Sequence, residues 1–105
     1  MALISPYNKI MPYKGILKVM VVKVLSNTLT YSPEQQNKYA TVTAYKNGSS
    51  TLMSIKIHEN GVGIYVNTNV QLFEKGDVLE TVVDTTNSND GNIILGVSYE
   101  YVKKE

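Results

Sequence analysis

The sequence predicts an all-β fold, a five-stranded and partly open barrel, and three observations carry that expectation. Apolar residues recur with period two. The clearest case is Lys38–Lys46, where Ala40, Val42 and Ala44 share one face and Tyr39, Thr41, Thr43 and Tyr45 the other. Such alternation marks a half-buried strand. No segment keeps a helical period over three turns. Five β-rich runs are set apart by polar or glycine-containing stretches, with Asn47-Gly48 the strongest hairpin signal.

Taken in order, residues 1–13 carry Pro6 and Pro12 and read as an irregular N-terminal arm with an imperfect Pro-Tyr-Lys repeat, Pro6–Lys9 and Pro12–Lys14. Lys14–Ser26 is a long first strand. Strict alternation puts Ile16, Lys18, Met20, Val22 and Val24 on one face and Leu17, Val19, Val21, Lys23 and Leu25 on the other. Apolar residues on both faces suit a long, coiled barrel strand. Ser26–Asn37 is polar, contains Pro33 and Tyr31, and forms an extended loop between the first and second strands. Lys38–Lys46 is the second strand. The third is Thr51–Ile57, with Met53, Ile55 and Ile57 inward and Leu52, Ser54 and Lys56 outward.

His58–Asp77 is a longer excursion broken by Gly61 and Gly63. Val62–Val66 reads as a short strand, and Asn69–Phe73 as a strand or one helical turn. Asp77–Asp84 is the fourth main strand. The fifth is Ile93–Lys103, with Ile93, Leu95, Val97, Tyr99 and Tyr101 on one face. A long first connection, a tight hairpin and a longer excursion match the oligonucleotide/oligosaccharide-binding barrel, whose second and third strands form its ligand face. An immunoglobulin-like sandwich needs about seven strands. It is reached only by splitting Lys14–Leu25 or promoting Val62–Val66.

With 105 residues and no internal boundary, the chain reads as one domain, residues 1–105. No apolar run approaches the roughly 18 residues of a membrane span. The N-terminus lacks a signal-peptide pattern, so a cytoplasmic site is expected, the host's cytoplasm if the gene belongs to a phage. Cysteine is absent, which removes disulfides and thiolate chemistry. The single histidine, His58, and the scattered acids form no metal or catalytic pattern. Neither an enzyme, a cofactor, a metal site nor a small-molecule substrate is expected.

The net charge of +1 hides an asymmetry. Residues 1–58 hold seven lysines against one acid, a net +6; residues 59–105 hold three lysines against eight acids, a net −5. Such a split suggests contact with a polyanion. All ten cations are lysines, so bidentate arginine readout of guanine is absent and contacts would fall mainly on phosphate. Tyr39 and Tyr45 stand roughly 20 Å apart on one strand face, with threonines between, a spacing that accommodates several unstacked bases. Tyr31 would clamp from the loop. The expected nucleic-acid-binding set is therefore Tyr31, Lys38, Tyr39, Thr41, Thr43, Tyr45, Lys46 and Lys56, with Lys18 and Lys23.

The stretches Gly15–Val24, Thr28–Tyr45, Ser50–Ile57 and Gly76–Lys104 resemble, in spacing and residue type, the small single-stranded-DNA-binding proteins of phages, such as those of the filamentous-phage gene V type. The resemblance implies sequence-independent coating of single-stranded DNA during replication or recombination by a homodimer. It implies stacking by Tyr31, Tyr39 and Tyr45, with Phe73 a further stacking candidate. RNA as ligand stays open. The family's arginines are missing here and the N-terminal arm is additional. Part of the expected homodimer interface falls in residues 60–73, apolar beyond the needs of a barrel core. Two other classes remain: a phage tail or capsid β-module, and a carbohydrate-binding β-domain using its exposed tyrosines.

Overall fold

In the computed structural model the backbone is described for residues 3–105 and side chains for residues 9–105. Eight strands follow one another: β1 (Leu3–Ile10), β2 (Gly15–Asn27), β3 (Tyr39–Lys46), β4 (Ser49–His58), β5 (Gly63–Asn67), β6 (Gln71–Phe73), β7 (Val78–Asp84) and β8 (Ile93–Lys103). They form two four-stranded antiparallel sheets. The first has the order β1-β7-β3-β4. In the second, β2 is central, with β8 along one side and β5 and β6 in succession along the other.

The five-stranded barrel is corrected by this pairing. A barrel of that type needs the first long strand to pair with the second. Here β2 pairs with β5, β6 and β8, while β3 pairs with β4 and β7 in the opposite sheet. The polar link after β2 carries the chain across from one sheet to the other instead of closing a hairpin. The sandwich is reached by promoting β5, β6 and β1 to strands, with β2 left whole. Leu3–Ile10, expected to be an irregular arm, pairs with β7 along the edge of its sheet. In the Pro-Tyr-Lys repeat, the side chains before Lys9 lie outside the described residues. Tyr13 stacks on Tyr101, with ring centroids 5.5 Å apart.

β2 also breaks the alternation expected of it. Leu17 pairs with Tyr101 and Val19 with Glu100, so β2 carries one residue more than β8 there. This bulge resets the side-chain parity. Leu17, Met20, Val22 and Val24 all turn inward, and Ile16, Val19, Val21, Lys23 and Leu25 turn outward. Facing them inside are Val42 and Ala44 of β3, Met53, Ile55 and Ile57 of β4, and Leu79 and Val83 of β7, with Phe73 of β6 beside them in the same sheet. Asn27 closes one end of β2. Its side-chain amide donates to the carbonyls of His58 (3.3 Å) and Gly61 (3.2 Å), and its oxygen accepts from the amide of Leu29 (3.2 Å), so a buried polar group is fully engaged.

The β3–β4 hairpin forms where Asn47-Gly48 predicts it. Both residues have positive φ, 51° and 85°, the geometry of a two-residue turn that matches strand twist. The Asn47 side chain donates to Asp77 (2.9 Å) and accepts from the amide of Val78 (2.8 Å), so the turn also anchors the start of β7.

At the opposite end, the β2–β3 and β7–β8 links are bonded to each other. The amide of Thr28 donates to Asn92, that of Thr30 to Asp90 and that of Asn89 to Thr30, all at 2.8–2.9 Å. Gly91 sits in this seam at φ 94°, and a Cβ there would lie 2.1 Å from the carbonyl oxygen of Thr28. Gly91→Ala therefore meets both backbone strain and a fixed backbone atom. It is expected to destabilise the fold by about 2–4 kcal/mol, read as a lower urea midpoint at unchanged m-value. An unchanged midpoint would show that the seam opens without cost.

Candidate functional site

Two sheets packed through their inner faces leave two outer faces, on opposite sides of the molecule. On the first sheet, Ala40, Val42 and Ala44 are fully buried while Tyr39, Thr41, Thr43 and Tyr45 turn outward and are half-exposed. Lys56 on β4 lies over the Tyr39 ring, 4.7 Å from its centroid, and His58 meets that ring edge-on at 5.8 Å. Thr43 and Ser54 share a 2.8 Å hydrogen bond across the strands. On the other side of the strip, β7 sets Glu80 opposite Tyr45 and Asp84 opposite Thr41. The tyrosine strip thus runs between a lysine side and a carboxylate side.

The remaining expected residues lie elsewhere. Lys18 and Lys23 project from β2 on the outer face of the other sheet. Lys18 approaches Glu100 at 3.9 Å, while Lys23 makes no ion pair among the described residues. Lys46 is held in place: its ammonium donates to the carbonyl of Leu72 (2.7 Å) and lies 3.9 Å from Asp77 and 5.5 Å from the centre of the Phe73 ring. The Lys38 carbonyl accepts from the amide of Glu59 at the entry to β3. Phe73 is fully buried, edge-on to Tyr101. Tyr31 is buried against Leu29, Ala40 and Ile93. Neither ring is available to stack on a ligand.

Folding sets part of the positive charge of the first half against acids of the second. Each of the three ion pairs among the described residues, Lys14–Glu74, Lys18–Glu100 and Lys46–Asp77, joins a lysine of the first half to an acid of the second. The topology causes this, because the β2–β6, β2–β8 and β3–β7 pairings lay the two halves side by side. Asp77 is held below the usual carboxylate range by the Asn47 side chain, then by the Glu74 amide and the Lys46 ammonium.

The second outer face takes in Ile64, Val66 and Leu72 of the apolar stretch 60–73, but its β2 and β8 parts were missed by sequence reasoning. Its rungs run Leu72–Ile16–Val102, Val66–Val21–Ser98 and Ile64–Lys23–Gly96, with Leu25 and Ile94 beyond. Leu25 is 65% exposed, Ile64 67%, Val66 57% and Ile94 56%. The signal was present in the two-sided apolar character of Lys14–Ser26. In a barrel it reads as core; here only one of the two faces is covered. A cleft of about 450 Å³ opens beside β8, between the sheets, lined among others by Lys9, Met11, Tyr13, Leu17, Tyr99 and Tyr101. Two of its phenols are engaged internally: Tyr99 with Thr81 at 2.6 Å, and Tyr101 donating to the Tyr13 carbonyl at 2.6 Å. Among the described residues no three His, Asp or Glu side chains gather as a metal site. No protein-family model matches the chain, and neither the curated proteins nor the solved structures contain a match to it.

Two predictions test the buried rings. Phe73→Ala is expected to cost about 3–5 kcal/mol of stability. The Tyr31 hydroxyl is buried without a protein partner, so Tyr31→Phe should shift stability by less than about 1 kcal/mol. Both are measured by urea unfolding, and a strongly destabilised Tyr31→Phe would reveal a bond to that hydroxyl. Burial also raises the phenols of Tyr31 and Tyr101 above their ordinary 10.0. The unfolded phenols then ionise first. Stability is accordingly full below pH 10 and falls as pH rises past it towards the folded values. A thermal midpoint unchanged between pH 9 and pH 11 would contradict that burial.

Proposed function

We propose that this chain is a structural assembly module: a small β-sandwich that works through protein–protein contact within a larger particle, of the kind used in phage tails and capsids. One observation carries the reading. The outer face of the β2-centred sheet presents Leu25, Ile64, Val66, Leu72, Ile94 and Val102 together, each more than 40% exposed. Their combined area is on the order of 600 Å², at or above the upper end for the largest apolar patch on an ordinary monomer. The interleaved charge and the burial of Tyr31 and Phe73 remove two supports of a nucleic-acid surface.

A second reading rests on the other face. Tyr39 and Tyr45 still point outward with Lys56 beside them, and on that strip the chain would bind single-stranded DNA through stacking and phosphate contacts. Titration with a mixed-sequence oligonucleotide of about 20 nucleotides at about 50 mM salt separates the two. The assembly reading expects no saturable binding. Saturable, salt-sensitive binding, weakened by about 1–3 kcal/mol in folded Tyr39→Ala and Tyr45→Ala but little in the Phe variants, would overturn it in favour of the second. Salt-insensitive binding of a neutral oligosaccharide with the same tyrosine dependence would instead place a sugar on the strip.

A further inference from the structure

We infer that the outer face of the β2-centred sheet is covered by another copy of this chain. The inference rests on the assembly reading and names its partner. Three features of the face make it self-complementary.

The first is its relief. Along β8 the outward positions between Ile94 and Val102 are Gly96, Ser98 and Glu100, and a Cβ built at Gly96 meets nothing within 4 Å. Gly96 and Ser98 therefore leave an open trough along β8. Two strands over, Ile64 and Val66 stand up from β5 on the same rungs. A ridge and a trough of matching length lie side by side on one surface, so a second copy can set its β5 ridge into the first copy's trough and receive the first copy's ridge in its own.

The second feature is symmetry. A two-fold axis parallel to the strands and passing over β2 sets each copy's β5 ridge against the other's β8 trough, because β5 and β8 flank β2 on opposite sides, and the contact is isologous and closed. It brings the two exposed Lys23 side chains towards each other, a cost the apolar contacts must exceed. With a net charge of only +1, little long-range repulsion opposes the approach.

The third feature is extent. A standard interface buries roughly 800 Å² per partner. The six strongly exposed apolar side chains, with half-buried Ile16, Val19 and Val21 between them, supply an area of that order. Exposure also continues round the margin of the sheet. β8 pairs only with β2 among the described residues, so an eleven-residue strand edge is open. The inward-facing Leu95, Val97 and Tyr99 are only partly buried. Open strand edges of this length are ordinarily covered.

Sedimentation of the whole chain over about 1–100 μM tests the inference. The expected mass is that of a dimer, twice 11.7 kDa. Gly96→Lys fills the trough without a clash inside one copy, and Val66→Lys puts a charge on the ridge. Each is expected to raise the dissociation constant at least about tenfold while far-ultraviolet circular dichroism and the urea m-value keep their folded values. Leu52→Lys, on β4 of the other sheet where the leucine is 77% exposed, should leave the mass unchanged. A wild-type monomer throughout the range overturns self-association. So does an oligomer that persists in both folded face variants. Oligonucleotide binding, measured on the same samples, bears on the assembly reading alone, so the failure of one is distinguishable from the failure of the other.

Discussion

The fold depends on β2, a thirteen-residue strand that is apolar on both sides. It is the only strand of its sheet that touches all the others, and its inward residues, Leu17, Met20, Val22 and Val24, reach the core together because a bulge at Lys18 restores their parity. Without that extra residue, strict alternation would send Leu17 outward while Met20 faced in. The same bulge decides what the far side looks like, since it sends Val19, Val21 and Lys23 outward beside the exposed chains of β5 and β8. Core and interaction face are two readings of one strand, separated by one inserted residue.

Much of the local structure was legible in the sequence. The hairpin at Asn47-Gly48, the inward Met53, Ile55 and Ile57, the outward Tyr39 and Tyr45, and the face formed by Ile93, Leu95, Val97, Tyr99 and Tyr101 all follow from turn chemistry and period two. What was not legible was which strands pair. Periodicity describes each strand against its own two faces and says nothing about its neighbour, so the β2–β3 link looked like a barrel loop. The structure shows a crossing between sheets. The bulge was invisible for a related reason: Lys18-Val19 reads as ordinary alternation until β8 supplies one residue fewer opposite it.

The site was legible only where it stayed within one strand. Tyr39, Thr41, Thr43 and Tyr45 share a face because they alternate. Tyr31 was misread because loop position does not report burial, and Phe73 because a resemblance in spacing does not either; burial here comes from Leu29, Ala40 and Ile93 around one ring and from Tyr101 and Lys46 around the other. The half-and-half distribution of charge misled for a topological reason. An antiparallel arrangement that lays the end of a chain along its beginning turns a gradient in sequence into a mosaic in space.

That same arrangement sets a schedule for the nascent chain. β2 is complete at Asn27, but its longest partner, β8, begins only at Ile93. At roughly 5–20 residues per second of synthesis, several seconds separate the emergence of the two. Until the short β5 and β6 emerge the ribosome presents a strand with two greasy sides and no neighbour, and one whole side of it stays unpaired until β8 follows, while the β3–β4 hairpin, whose halves lie next to each other in sequence, is free to form. Production in the cell should therefore be governed less by the stability of the finished sandwich than by how long β2 waits, and by whether holding chaperones shield it until the C-terminus arrives.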